Sequence, residues 1–185
     1  MKCFNKIISL IVSSTMILGL CACSDTADGV KEYDSESIIE VLTNDLGIRS
    51  ELITHIDVED IPSDMPYTDY IIANYNDTMI TVSFFEAKED AKETFDASFG
   101  EFEESFNQNG LFDGDYITAN ENDYGYIVVD GKNMGSDFLG DRYSAGEVSV
   151  AMYRSGAMVI AIQPTLGSDL ENVDKVIDAL GYPNV

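Results

Sequence analysis

The chain of 185 residues has no tryptophan, one histidine, three cysteines and four prolines, and only ten lysines and arginines against 34 aspartates and glutamates. These shortages remove whole classes of chemistry. With His55 as the only histidine, a His-Glu-x-x-His zinc motif is excluded by count. A Ser-His-Asp triad would have to run through His55, yet no serine stands in a Gly-x-Ser-x-Gly turn. The formal charge of −24 repels nucleic acid, anionic lipid and anionic polymers; it leaves cations, basic protein surfaces and neutral molecules as partners. The lack of tryptophan argues against a sugar-stacking cleft, a role left to ten tyrosines. The stretch from Gly125 to Lys132 has the outline of a phosphate loop, but its glycines are one residue too far apart and Asn133 follows the lysine.

The three cysteines all fall within the first 23 residues, where the sequence is most informative. Lys2 and Lys6 form a short positive segment, Ile7 to Leu20 an apolar run, and Ala22 precedes Cys23. As a helix the run would cover roughly 21 Å, short of the ~30 Å hydrocarbon core, so it reads as a secretory signal rather than a span. Cleavage before Cys21 would leave the bulky Leu20 at −1. Cleavage before Cys23 puts the small Ala22 there and Leu20 at −3. Leu20-Cys21-Ala22-Cys23 thus resembles the lipobox of bacterial lipoproteins. The resemblance implies cleavage before Cys23, lipidation of its thiol and anchoring on the extracytoplasmic face of a cell membrane. Two acyl chains on one cysteine suffice for stable attachment. The organisation expected is a signal peptide at 1–22, a lipidated cysteine and tether at 23–34, and one globular domain at 35–185. Processing would leave 8 basic against 34 acidic residues, a charge of −26. It would also leave no thiol for a disulfide, a cysteine nucleophile or a thiolate zinc site.

Patterning predicts a first helix through Ile38, Val41, Leu42 and Leu46, with Ser37 and Glu40 as a capping box and Gly47 as the stop. Residues 48–66, interrupted by Pro62 and Pro66, read as irregular. A hairpin is predicted at 67–85 about Asn76-Asp77, followed by a long helix at 86–107 with the stripe Ala91, Phe95, Phe99, Phe102 and Phe106. A short strand at 116–118 and a stronger one at 124–130 lead into a Gly- and Asp-rich loop at 131–146. A second hairpin, apolar on both faces, turns at Arg154-Ser155-Gly156, and a last helix runs from Asp169 to Leu180 with Ser168 and Glu171 as its capping box. The fold expected is an α+β two-layer sandwich. It has an antiparallel sheet of five to six strands, helices on one face, two β-hairpin–helix units and an N-terminal helix. Apolar positions on both faces of the second hairpin place it centrally in the sheet or against another subunit. The run Ile80-Thr81-Val82-Ser83-Phe84-Phe85 into Ala87, Ala91 and Phe95 also resembles small lipoproteins of Firmicutes.

The leading expectation for function is a non-enzymatic binding or accessory module for a protein or small-molecule ligand. The site is sought in the Tyr-, Gly- and Asp-rich region 123–143, at Tyr124, Tyr126, Asp137, Asp141 and Tyr143. A carboxylate-based hydrolase is one alternative, although 34 acids guarantee some suitable pair by chance. A calcium-dependent adhesion or structural module is another. Asp113 and Asp115 match positions 1 and 3 of an EF-hand loop, but Ile117 and Thr118 stand where an acid or amide and a glycine are required. They remain weak metal candidates, and no other cofactor is expected. His55, between Thr54 and Ile56-Asp57, reads as a surface histidine.

Overall fold

The two hairpins form the middle of a single sheet in the computed structural model, which describes residues 29–57, 59, 61, 66–107, 112–133, 146–165 and 171–185. The first pairs β2 (Tyr67–Tyr75) with β3 (Thr78–Phe85) through Asn76 and Asp77, both at positive φ, as a tight two-residue connection between twisted strands demands. The second pairs β6 (Gly146–Ser155) with β7 (Met158–Pro164) through Gly156 and Ala157. Gly156 has φ +54°, and a Cβ there would collide with the Glu32 carboxylate, which accepts a bond from Ala157 N at 3.0 Å. With β1 (Ile53–Asp57), β4 (Phe112–Asn120) and β5 (Tyr124–Asn133), the order is β1-β2-β3-β7-β6-β5-β4, antiparallel throughout.

The expected two-layer sandwich with five to six strands is overturned: the sheet has seven strands and carries helices on both faces. The two strands that patterning undervalues are the two edges. In β1 the burial alternates only weakly, so Ile53-Thr54-His55-Ile56-Asp57 lacks the apolar stripe that marks a strand. In β4 two acids and Gly114 obscure a nine-residue element that exists because β5 offers it a ladder. On one face lie α1 (Ser35–Glu40), extended by a π-type turn over Val41–Asp45, and α3 (Glu171–Leu180). There Ile38, Leu42, Val176 and Ile177 pack on the sheet through Ile80 and Ile160. On the other face lies α2 (Lys88–Asn107), whose Ala91, Phe95 and Phe102 pack on Ile127, Val129 and Val159. Val159 and Ile160 are neighbours in β7, yet both are buried, which requires cover on both faces.

Local chemistry positions these helices. Asp34, not Ser37, caps α1: its side chain accepts from Ser37 N at 2.7 Å, and that bonding holds its carboxyl below the ordinary range. Near the start of the described residues, Val30 is fully buried and its carbonyl accepts a bond from Ser155 Oγ at 3.0 Å. The capping residue expected for the last helix, Ser168, lies outside the described residues, as do the signal segment and Cys23. Within α2, Lys92 bridges to Asp96 and to Asn120 at the end of β4. Phe95 leans on Gly125 of β5, where a Cβ would lie 2.7 Å from Phe95 Cε1 and 3.1 Å from the Ala119 carbonyl oxygen. Gly100, by contrast, faces open space. Gly125→Ala is therefore expected to lower stability by about 1–3 kcal/mol, and Gly100→Ala to raise it by about 0.5–1 kcal/mol. Urea denaturation of the two variants checks both signs.

Candidate functional site

Strand alternation in β5 sends Tyr124, Tyr126 and Val128 to the α1/α3 face and Gly125, Ile127 and Val129 to the α2 face. Tyr126 stands opposite Tyr153 of β6 in register. From there aromatic rings continue across the face. Tyr124 and Tyr126 lie 6.4 Å apart between centroids at 23°, Tyr126 and Tyr153 6.4 Å, Tyr153 and Tyr182 4.7 Å, and Tyr182 and Tyr33 6.1 Å. The inner rungs spend their hydroxyls on backbone. Tyr33 donates to Leu180 O at 2.9 Å, Tyr153 to Pro183 O at 2.6 Å and Tyr182 to Lys31 O at 2.5 Å. These three bonds tie the N-terminal segment, the C-terminal segment and the sheet together. Tyr124 and Tyr126 form the outer end of the run and are only half-buried.

The neighbouring strand adds acid to this face. Asp113 and Asp115 share the side of Ile117 and Ala119 in β4, where Asp113 faces Lys132 and Asp115 faces Asp130 across the β4–β5 ladder. They belong to an exposed edge strand rather than to a flexible loop. Of the residues nominated from sequence, the fold brings Tyr124 and Tyr126 together and places Asp113 and Asp115 on the same side of the sheet. Asp137, Asp141 and Tyr143 lie outside the described residues. Asp123, another acid of that region, is engaged with Lys88 Nζ at 3.0 Å.

Sequence reasoning placed Arg154 in a turn, whereas the structure buries it completely in β6. Its Nη1 donates to Asn122 O at 3.1 Å, and its Nη2 donates to Tyr124 O at 2.8 Å and to Glu121 O. The guanidinium thereby clamps the β4–β5 turn from which Tyr124 emerges, and it lies 5.7 Å from the Phe95 ring centroid. Burial lowers its pKa, against the opposing pull of Asp96 and Asp123. The one available signal was its position, two residues before a turn glycine in an otherwise apolar strand.

A second grouping sits at the opposite edge of the sheet. His55 and Asp57 alternate onto one face of β1, and Asp69 of β2 is the direct cross-strand partner of Asp57. His55 Nε2 lies 2.6 Å from Asp69 Oδ1 and 3.6 Å from Asp57 Oδ1, and the three ligand atoms fall within 4.8 Å of one another. The same Asp69 oxygen accepts from Tyr70 N at 2.8 Å. A register shift between Tyr67 and Asp69 marks a bulge immediately before Asp69. These are the described groups whose chemistry suits a metal: one imidazole nitrogen and two carboxylates. No family model, curated protein or solved structure matches the chain at a significant level.

Two outcomes follow from the tyrosine face and its clamp. Arg154→Lys keeps the charge but cannot span three carbonyls, so it should cost about 2–3 kcal/mol in urea denaturation and accelerate amide exchange at 121–124. Burial, reinforced for Tyr153 by Asp174 and for Tyr182 by Tyr33, raises both phenols far above their ordinary value of 10.0. The folded state holds them neutral, so their stabilisation is complete below the unfolded tyrosine pKa of about 10 and is lost progressively above it. Alkaline titration followed at 295 nm should show these two phenolates appearing together with unfolding, and the double variant Tyr153→Phe, Tyr182→Phe should flatten that pH dependence.

Proposed function

We propose that this chain is a lipid-anchored, non-enzymatic binding module on the extracytoplasmic face of a membrane. It takes a basic protein segment on the face formed by Tyr124 and Tyr126. The observation that supports the binding surface best is that pair of half-buried rings, 6.4 Å apart and near parallel, at the outer end of a tyrosine run whose inner members are buried. Aromatic faces suit lysine and arginine side chains through cation–π attraction, and Asp113 and Asp115, further along the same side of the sheet, add Coulomb attraction at longer range. A chain charge of −24 selects the same sign of partner.

The anchor rests on the lipobox-like Leu20-Cys21-Ala22-Cys23. Among the described residues no helix is long and apolar enough to cross a membrane. Val30 is the first buried residue among those described, and the seven residues from Cys23 to Gly29 can span at most about 25 Å when fully extended. Val30 is bonded to Ser155 beside the β6–β7 turn, and Gly156 N donates to Asp123 O of the neighbouring β4–β5 turn at 3.0 Å. Tyr124 starts its strand at this same end of the sheet, so a ligand on the tyrosine face would be held close to the bilayer.

Two measurements test the parts separately. Metabolic labelling with an alkyne fatty acid should tag the native chain and the Cys21→Ala variant but not Cys23→Ala, which should leave the membrane fraction; a labelled, membrane-bound Cys23→Ala protein refutes the anchor. Calorimetric titration with a Lys/Arg-rich peptide should show affinity that falls with added salt and weakens about tenfold in the Tyr124→Ala, Tyr126→Ala double variant. Equal affinity in both proteins would remove the tyrosine face as the site.

A further inference from the structure

We propose that His55, Asp57 and Asp69 form a binding site for one divalent first-row transition ion of the Zn2+ type, at the β1 edge of the sheet. Asp57 and Asp69 are paired directly across the β1–β2 ladder, an arrangement that places two like charges opposite each other and is unfavourable without a cation. The same unfavourable pair occurs once more, at Asp115 and Asp130 on the other flank. What separates the two is the third group. Beside the second pair, the facing residue of Asp113 is Lys132, a competing cation. Beside the first, His55 presents Nε2 to both carboxylates, at 2.6 and 3.6 Å.

The geometry fits one small ion. Two ligands bound at ~2.1 Å stand about 3.0 Å apart in an octahedral site and about 3.4 Å apart in a tetrahedral one. The 2.6 Å separation must open by about 0.4–0.8 Å, the 3.6 Å separation needs little change, and the two carboxylate oxygens, which lie within 4.8 Å of each other, must close onto the ion by side-chain rotation. Strand register fixes the three side chains on one face, and the bulge before Asp69 is the kind of local kink that aims a side chain. β1 is an edge strand paired only with β2, and His55 and Asp57 are exposed, so the remaining coordination positions are open to water. An imidazole among the ligands favours Zn2+ and its neighbours over Ca2+ or Mg2+, which take oxygen alone.

The test uses the full chain in detergent with Cys3→Ser, Cys21→Ser and Cys23→Ser, so that no thiol competes. Titration with ZnCl2 should show one ion per chain, with the His55 imidazole nitrogen resonances shifting in step. His55→Gln and Asp69→Asn should each weaken binding by about tenfold or more. Asp115→Asn should leave it unchanged, and equimolar CaCl2 should not compete. Circular dichroism melting identifies any variant that unfolds, and the imidazole shift in the parent protein stands independently of the variants. No saturable binding, unchanged imidazole resonances on saturation, equal affinity in a folded His55→Gln, or displacement by equimolar CaCl2 would each overturn the proposal.

Discussion

A strand whose two faces are both apolar needs cover on both, and β7 at the centre of the sheet imposes that requirement on the whole molecule. Val159 points to α2 while Met158, Ile160 and Ile162 point to α1 and α3, and all four are buried. The chain meets the demand by sending the helix after its first hairpin to one face and the helix after its second to the other. That choice fixes the rest. The β2–β3 pair joins β7 on one side and the β4–β5 pair joins β6 on the other, so both outer strands are left as half-paired edges.

With no thiol among the described residues, closure of this three-layer arrangement falls to hydrogen-bonded tyrosines. Tyr33, Tyr153 and Tyr182 each combine a large apolar ring with a hydroxyl that reaches a distant carbonyl. The separations in sequence are 147, 30 and 151 residues, so two of the three bonds join the beginning of the packed chain to its end. Arg154 does comparable work on the other side of β6, where its guanidinium satisfies three carbonyls of one turn above Phe95. The tyrosine face and the arginine clamp therefore sit back to back across the same two strands. The outer rings Tyr124 and Tyr126 inherit a rigid support.

What could be read from sequence divides along burial. The stripe through Ala91, Phe95 and Phe102 and the apolar second hairpin are signals of residues that reach the core, and periodicity records them, while the exposed turn at Asn76-Asp77 is marked by its residue types. Of the edge strands, β1 escaped and β4 was read only at 116–118, because an edge is solvated: Thr54 and His55 in β1 and Asp113 and Asp115 in β4 carry no apolar stripe, and only the partner strand makes them strands. The side of the sheet taken by each helix was equally hidden, since an amphipathic stripe states that a face is buried but not against which layer. Tyr124 and Tyr126 were nominated through composition, and the fold sets them side by side on one face. Arg154 and the His55 grouping depend instead on how strands pair, across 30 residues or more for the Arg154 contacts and 14 for His55 with Asp69.

The acids of the two edges have a second physical consequence. Exposed strands with free backbone groups recruit other strands, and charge on an edge opposes that. Asp57 in β1 and Asp113 and Asp115 in β4 serve that purpose whatever else they do, and a single charge per edge would be enough. Edge protection does not require the cross-strand partner to be acidic as well, yet both edges pair Asp with Asp. At β4 the same ladder also sets Asp113 opposite Lys132. At β1 the neighbouring group is the His55 imidazole, whose Nε2 lies 2.6 Å from Asp69 Oδ1 and 3.6 Å from Asp57 Oδ1. The two edges thus set the same pair of like charges beside different groups, a lysine and a histidine, and among the described residues it is at the histidine edge that three ligand atoms lie within 4.8 Å of one another.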